Sequence, residues 1–160
     1  MINDNGTIPC RQTMGSAGYD FYANEDMHIG QDFRIFDTGV RFDGDEIIFN
    51  AVGLVNTDTN EITSRQVIFR FWVGFVHPRS SLAIKKNMQV ANIGVIDQDY
   101  RDTIKIAIRS DTPFTIKKGD RYAQLIFVPI GIMAYEEKPT KKREGGIGST
   151  DNKQTKLVIE

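Results

Sequence analysis

Thr103-Ile104-Lys105-Ile106-Ala107-Ile108 is the stretch that decides the fold class. Isoleucines recur at every second position, so an extended chain puts all three on one face. β-Branched side chains suit such a pleated, half-buried surface. The same period continues outward. Ala123-Gln124-Leu125-Ile126-Phe127-Val128 is almost continuously apolar, as expected of a strand packed on both sides. Upstream, Val67, Phe69, Phe71, Val73 and Phe75 alternate and predict one face of a single long run. Shorter strands are expected at Phe33 to Phe36, Thr38 to Phe42 and Phe114 to Ile116. Turn signals separate them at Asp43-Gly44-Asp45, Asp111-Thr112-Pro113 and Lys117-Lys118-Gly119-Asp120. Only Ser80 to Met88 reads as helix, with helix formers behind a hydroxyl cap. Many short strands and one short helix predict an all-β domain, closed or sandwiched.

The chain has 160 residues, a length that fits one domain. Its net charge of −1 gives no basic field, so a nucleic-acid polymer is not an expected partner. Cys10 is the only cysteine; it excludes an internal disulfide, suits a reducing cytoplasm and is expected to be inert. There is no apolar run long enough for a membrane span and no signal-peptide pattern. Residues 46–71 read as an extended hairpin with Asn56 to Glu61 as its polar tip. From Lys138 onward the chain turns polar and glycine-rich. This divides it into an expected domain over 1–137 and a flexible arm over 138–160.

Chemistry-bearing residues fall in a few places. Gly94-Val95-Ile96-Asp97-Gln98-Asp99-Tyr100-Arg101 joins a turn glycine to two carboxylates and an aromatic ring. On strand alternation Asp97 and Asp99 are expected on opposite faces. Taken alone, the stretch fits an acidic hairpin turn as well as a site. His77-Pro78-Arg79-Ser80-Ser81 opens the helix, where free N–H groups, a guanidinium and two hydroxyls suit a phosphate; it fits a plain helix start equally well. The arm carries Lys141-Lys142-Arg143 and then Gly145-Gly146-Ile147-Gly148-Ser149-Thr150. Its N–H groups could converge on an anion, or it could be a disordered tail. Gln124 is a polar group inside an apolar strand and needs a partner or a function. His28 and His77 lack companions at metal-ligand spacing and are read as non-catalytic.

Five segments in order resemble the five motifs of the homotrimeric dUTPase family. They are Ala17 to Ala23 (AGYDFYA), Pro78 to Ala83 (PRSSLA), Gly94 to Arg101 (GVIDQDYR), Gly119 to Phe127 (GDRYAQLIF) and Gly145 to Thr150 (GGIGST). The resemblance implies a jelly-roll-like β-barrel assembled as a homotrimer with active sites shared between subunits. It implies a dUTP diphosphatase that forms dUMP and pyrophosphate, limits uracil incorporation into DNA and supplies dUMP for thymidylate synthesis. Magnesium would ride on the triphosphate, in the cytoplasm of a cell or of a virus's host. By the same resemblance Asp97 is the general base for water attack on the α-phosphorus, and Tyr100 is the platform under the deoxyribose. Arg79, Ser80, Ser81 and Gln124 are phosphate contacts. Asp20 supports the metal's water shell. Asn92 and Gly94 belong to the uracil-reading backbone, and Lys142, Arg143, Ile147, Gly148, Ser149 and Thr150 to the closing arm.

Three departures from the family pattern stand out. Asn92 lies one residue beyond the usual asparagine position, which here is Ala91. Ile147 stands where the arm usually has a Phe, losing a stacking contribution of about 0.5–1.5 kcal/mol. Lys142 occupies the usual arginine position, with Arg143 beside it, so either cation could take that role. The 46–71 hairpin is longer than usual and offers a surface for a protein partner, or is a tolerated surface insertion. Two rival readings are a dCTP deaminase of the same fold and a non-catalytic, nucleotide-responsive regulator. The deaminase would need a glutamate on the strand after the Gly94 hairpin, and Thr103 to Ile108 has none.

Overall fold

The computed structural model describes residues 1–42, 47–55, 59, 62–69, 71–137, 139, 140, 143 and 145. The regular secondary structure of the described residues is almost entirely strand. In order these are β1 (Ile2–Asn3), β2 (Tyr19–Tyr22), β3 (Met27–Ile29), β4 (Arg34–Asp37), β5 (Val40–Arg41), β6 (Ile47–Val55) and β7 (Ile62–Phe69). Then follow β8 (Trp72–Pro78), helix α1 (Ser80–Lys86), β9 (Met88–Val90), a 3-10 turn over Ala91–Gly94, β10 (Val95–Asp97), β11 (Lys105–Ser110), β12 (Phe114–Ile116) and β13 (Arg121–Pro129). The largest sheet has the order β10-β8-β13-β2, and a second has the order β4-β11-β9. The pairs β1–β5, β3–β12 and β6–β7 complete the ladders. Neighbours in the two larger sheets lie far apart in sequence, the mark of a jelly roll; the described strands form separate sheets and not one closed barrel.

The core lies between these sheets. Ile104, Ile106 and Ile108 are all buried, as their spacing predicts, and they meet Phe21, Trp72, Val76, Tyr122 and Leu125. Each large apolar side chain sealed there contributes roughly 1.5–3 kcal/mol. Trp72 anchors an aromatic group: its ring centroid lies 5.0 Å from Phe42 and 5.1 Å from Phe127, both edge-on. Burial pushes the Tyr122 hydroxyl well above the usual tyrosine range, reinforced by the nearby Asp37 carboxylate.

Several expected boundaries move. The run from Val67 to Phe75 is two strands: β7 pairs with β6, whereas β8 pairs with β10 and β13. In β8 the buried face is Trp72, Gly74 and Val76, leaving Val73 and Phe75 on the half-covered side. Gly39, at φ +63°, interrupts the strand expected from Thr38 and leaves only Val40–Arg41. The helix stops at Lys86, because Asn87 turns left-handed at φ 50° and sends its N–H to Leu82 O. Its N-cap is Arg79, not a serine, and no side chain caps it. The expected hairpin is present as β6 paired with β7; all of its expected tip except Thr59 lies outside the described residues.

Gly94 is required twice over. Its φ is +53°, and an added Cβ would stand 2.6 Å from Val76 Cβ in the adjacent strand β8. Gly94→Ala is therefore expected to cost about 2–4 kcal/mol, combining strain with overpacking. Denaturant unfolding at fixed protein concentration measures it, and a loss under about 0.5 kcal/mol, the range of an ordinary surface substitution, would contradict the account.

Candidate active site

The Gly94 hairpin is built by β10 pairing along β8, with Val95 opposite Phe75, Ile96 opposite Gly74 and Asp97 opposite Val73. Strand geometry ends at Asp97. The Tyr100 N–H then closes a turn onto Asp97 O at 3.0 Å. Asp97 and Asp99 consequently do not point apart as alternation predicts. One arm cation serves both: Arg143 Nη1 lies 2.6 Å from Asp97 Oδ2 and 3.3 Å from Asp99 Oδ1. The period-two argument fails here because Gln98 and Asp99 occupy a turn. Both carboxylates are more than half exposed, so these pairs are worth only about 0–1 kcal/mol and are readily exchanged.

Tyr100 is nearly buried, and its hydroxyl donates to Thr103 O at 2.9 Å. Burial, helped by the Asp102 and Asp37 carboxylates, raises its pKa. The Arg143 guanidinium lies over the ring, 5.5 Å from its centroid. Before the hairpin, Asn92 and Gly94 both have positive φ, at 52° and 53°, so the chain leaves extended geometry in the 3-10 turn.

A second cluster forms where β2, β13 and the end of β8 meet. Asp20 is 2% exposed. Its Oδ2 accepts from Arg121 Nη1 at 3.0 Å and its Oδ1 from Gln124 Nε2 at 3.2 Å, while Arg79 Nε stands 3.5 Å from Oδ1. Gln124 is thereby given the partner that a polar group in an apolar strand requires. Gly18 makes room for it: a Cβ there would lie 3.1 Å from Gln124 Oε1. Ser80 and Ser81 are both exposed beside this cluster. A pocket of about 430 Å³ opens there, lined by Arg79, Ser81, Lys86, Asp120 and Arg121 among others. Arg121 is the member that sequence reading left without a role. No spacing rule marks it, because it reaches Asp20 only through a register shift between Arg121 and Ala123.

The two clusters share one face of one sheet. Cross-strand register aligns Asp97, Val73 and Val128 in one row, Val95, Phe75 and Ile126 in the next, and His77, Gln124 and Asp20 in a third. Polar corners thus flank an apolar centre. Three strand spacings and four residues separate Asp97 from Asp20, roughly 20 Å by ordinary sheet dimensions. Within one chain these corners do not come together.

Lys142, Ile147, Gly148, Ser149 and Thr150 lie outside the described residues. His28 bonds Thr115 Oγ1 through Nδ1, and the His77 ring lies tilted against Phe75, 6.4 Å between centroids. Among the described residues, no three His, Cys, Asp or Glu side chains converge on a metal position. Asp20 has both oxygens turned to cationic or amide donors. This donor set does not fit a resident magnesium ion, which needs several oxygen ligands in octahedral array. No helix among the described residues is long and apolar enough to cross a membrane.

Comparison with known proteins agrees with this architecture. A family model described as dUTPase matches residues 55–151. The deoxyuridine 5'-triphosphate nucleotidohydrolase of Debaryomyces hansenii is 36% identical, over 92% of this chain and 82% of that protein. Among solved structures, the dUTPase of S. aureus phage phi11, described for its coordination of a structural Mg(II) ion, shares the fold. Its TM-score is 0.58 at 19% identity, covering 85% of this chain and 92% of that one. The Staphylococcus bacteriophage 80alpha dUTPase with dUPNHPP gives 0.58 at 20% identity, covering 92% and 94%. The chain belongs to the dUTPase family, the deoxyuridine 5'-triphosphate nucleotidohydrolases.

Tyr100→Phe tests how the hairpin is held. Losing the bond to Thr103 O is expected to cost about 0.5–1.5 kcal/mol. Denaturant unfolding should record that loss, and unchanged stability would mean the hydroxyl contributes nothing there.

Proposed function

We propose that this protein hydrolyses dUTP to dUMP and pyrophosphate at sites shared between the subunits of a homotrimer. The observation that carries this reading is the divided face of the β10-β8-β13-β2 sheet. A general base must stand within about 2.6–3.2 Å of the proton it takes, and Asp97 lies far from its own chain's Arg79–Gln124 cluster. Docking copies through the apolar row would cover Val95, Phe75 and Ile126 and bring the Asp97 of one copy to the Arg79–Gln124 cluster of another. Such a symmetric closed assembly is the ordinary outcome for a repeated complementary surface.

In this site the 3-10 turn at Ala91–Gly94 reads uracil through its outward-turned backbone, with Asn92 and Gly94 at the left-handed positions. The deoxyribose takes the face of Tyr100 that Arg143 now covers. Arg79, Ser80, Ser81 and Gln124 hold the phosphates, and Mg²⁺ enters with the triphosphate as its counter-ion. Asp97, released from Arg143, orients a water in line with the α-phosphorus and accepts its proton as the P–O bond forms. The bond to the bridging oxygen breaks, and pyrophosphate leaves. The arm from 138 onward, with Lys142, Ile147, Gly148, Ser149 and Thr150, closes over the nucleotide held by the domain of residues 1–137. The hairpin of β6 and β7 stands outside this chemistry and serves as a surface for a protein partner.

Pyrophosphate release from dUTP, compared with dTTP, dCTP and UTP, tests the activity. dUTP should be strongly preferred, and Asp97→Asn should lower turnover by about 10²–10⁴-fold. Absence of release from dUTP, or an Asp97→Asn variant as fast as the parent, would refute the assignment.

Assembly has its own test. Val95 is exposed in the single chain, so Val95→Glu should leave the fold intact while reducing a trimeric mass to that of one 18.1 kDa chain. Analytical ultracentrifugation reads the mass; a trimer that persists would show that this face is not the interface.

A further inference from the structure

The geometry points to Arg121 as a further cationic contact to the substrate's phosphates, aimed by Asp20, which acts as a positioning residue for two guanidiniums. This rests on the reading of the site as a triphosphate hydrolase.

The argument begins with the backbone. In a regular strand, residues three apart face opposite sides of the sheet. Arg121 and Gln124 nevertheless donate to the same carboxylate. They do so because β13 carries one extra residue against β2: Tyr22 lies opposite Arg121 and Phe21 opposite Ala123, leaving Tyr122 unpaired across the ladder. A bulge of this kind re-aims a side chain at the cost of one ladder position. Its carbonyl is not wasted, since Tyr122 O accepts the Arg79 N–H at 3.0 Å. The one irregularity therefore fixes both arginines: Arg121 by direction, Arg79 by its backbone.

Charge gives the second half. Asp20 is buried and both its oxygens are taken, so it is an anchor and not a surface for ligand. It offsets one of two positive charges. What remains of the two guanidiniums is partly exposed, 28% for Arg79 and 34% for Arg121, and both line the pocket with Ser81 and Lys86. Asp120 is a lining carboxylate, so the pocket with its anchor keeps a net charge of about +1. Arg121 spends Nη1 on Asp20, and a guanidinium has five N–H donors, so the rest of its fork is free to meet a phosphate oxygen without a search through rotamers.

Steady-state kinetics on the intact protein decides it, using Arg121→Gln, Arg121→Lys, Asp20→Asn and the Asp20→Asn/Arg121→Gln pair. Arg121→Gln should lower kcat/KM for dUTP by about 10- to 100-fold, the range for a lost hydrogen bond to a charged group. Inhibition by deoxyuridine, which has no phosphate, should stay unchanged, and Arg121→Lys should recover only part of the loss. Asp20→Asn should be strongly non-additive with Arg121→Gln, and its defect should not be relieved by raised magnesium. Wild-type kcat/KM in Arg121→Gln, or an equal weakening of deoxyuridine, would overturn the contact. Additive losses, or rescue of Asp20→Asn by magnesium, would overturn the positioning role. Because Arg121→Gln leaves Asp20 with Arg79 and Gln124, a folding failure confined to Asp20→Asn still leaves the contact tested. If the unsubstituted protein releases no pyrophosphate from dUTP, it is the hydrolase reading that fails.

Discussion

Burying the Asp20 carboxylate is the constraint on which this site depends. An ionised group removed from water costs several kcal/mol unless it is paired and hydrogen-bonded. Here the pairing needs Arg121 and Gln124 from β13 and Arg79 from beyond β8. Those three donors reach one carboxylate only if β2, β13 and β8 lie side by side in the observed register and β13 bulges at Tyr122. Satisfying the charge and aiming the guanidiniums are therefore the same structural act. Removing one partner of such a set costs more than the pair contributes, because the rest is left buried and unmet.

The other end of the same sheet follows an opposite rule. Asp97 and Asp99 stand in the open, and Arg143 holds them only as a surface pair does. A carboxylate held so loosely can exchange partners, whereas a buried one fixes the cations around it. Between the corners, Val95, Phe75 and Ile126 form an apolar row whose covering favours association. A buried anchor, two loosely held carboxylates and an apolar row lie on one face of one sheet.

Much of this was legible along the chain. The alternation of Ile104, Ile106 and Ile108 identified a buried strand face, and the apolar run around Gln124 identified a strand, although in the single chain its Gln124, Ile126 and Val128 face is not packed over as expected. Gly94 is expected to allow either a tight backbone approach or a φ > 0 turn, and it does both. Other readings failed for local reasons. Period two carried Asp97 and Asp99 to opposite faces, but a turn had already begun. The same period joined β7 to β8, although they belong to different sheets. The hydroxyl cap expected at the helix start is absent: the N-cap is Arg79, whose N–H is held by the Tyr122 carbonyl of β13.

By itself the sequence determined the all-β class, the five motif segments and the residue types that chemistry could use, because periodicity and motif order are properties of neighbours along a chain. The tertiary structure alone decided that Arg121 joins Arg79 and Gln124 on Asp20, that Arg143 reaches Asp97, and that Asp97 and the Asp20 cluster occupy distant corners of one sheet. Each of these depends on cross-strand register, and one unpaired residue in β13 is enough to send a side chain to the other face.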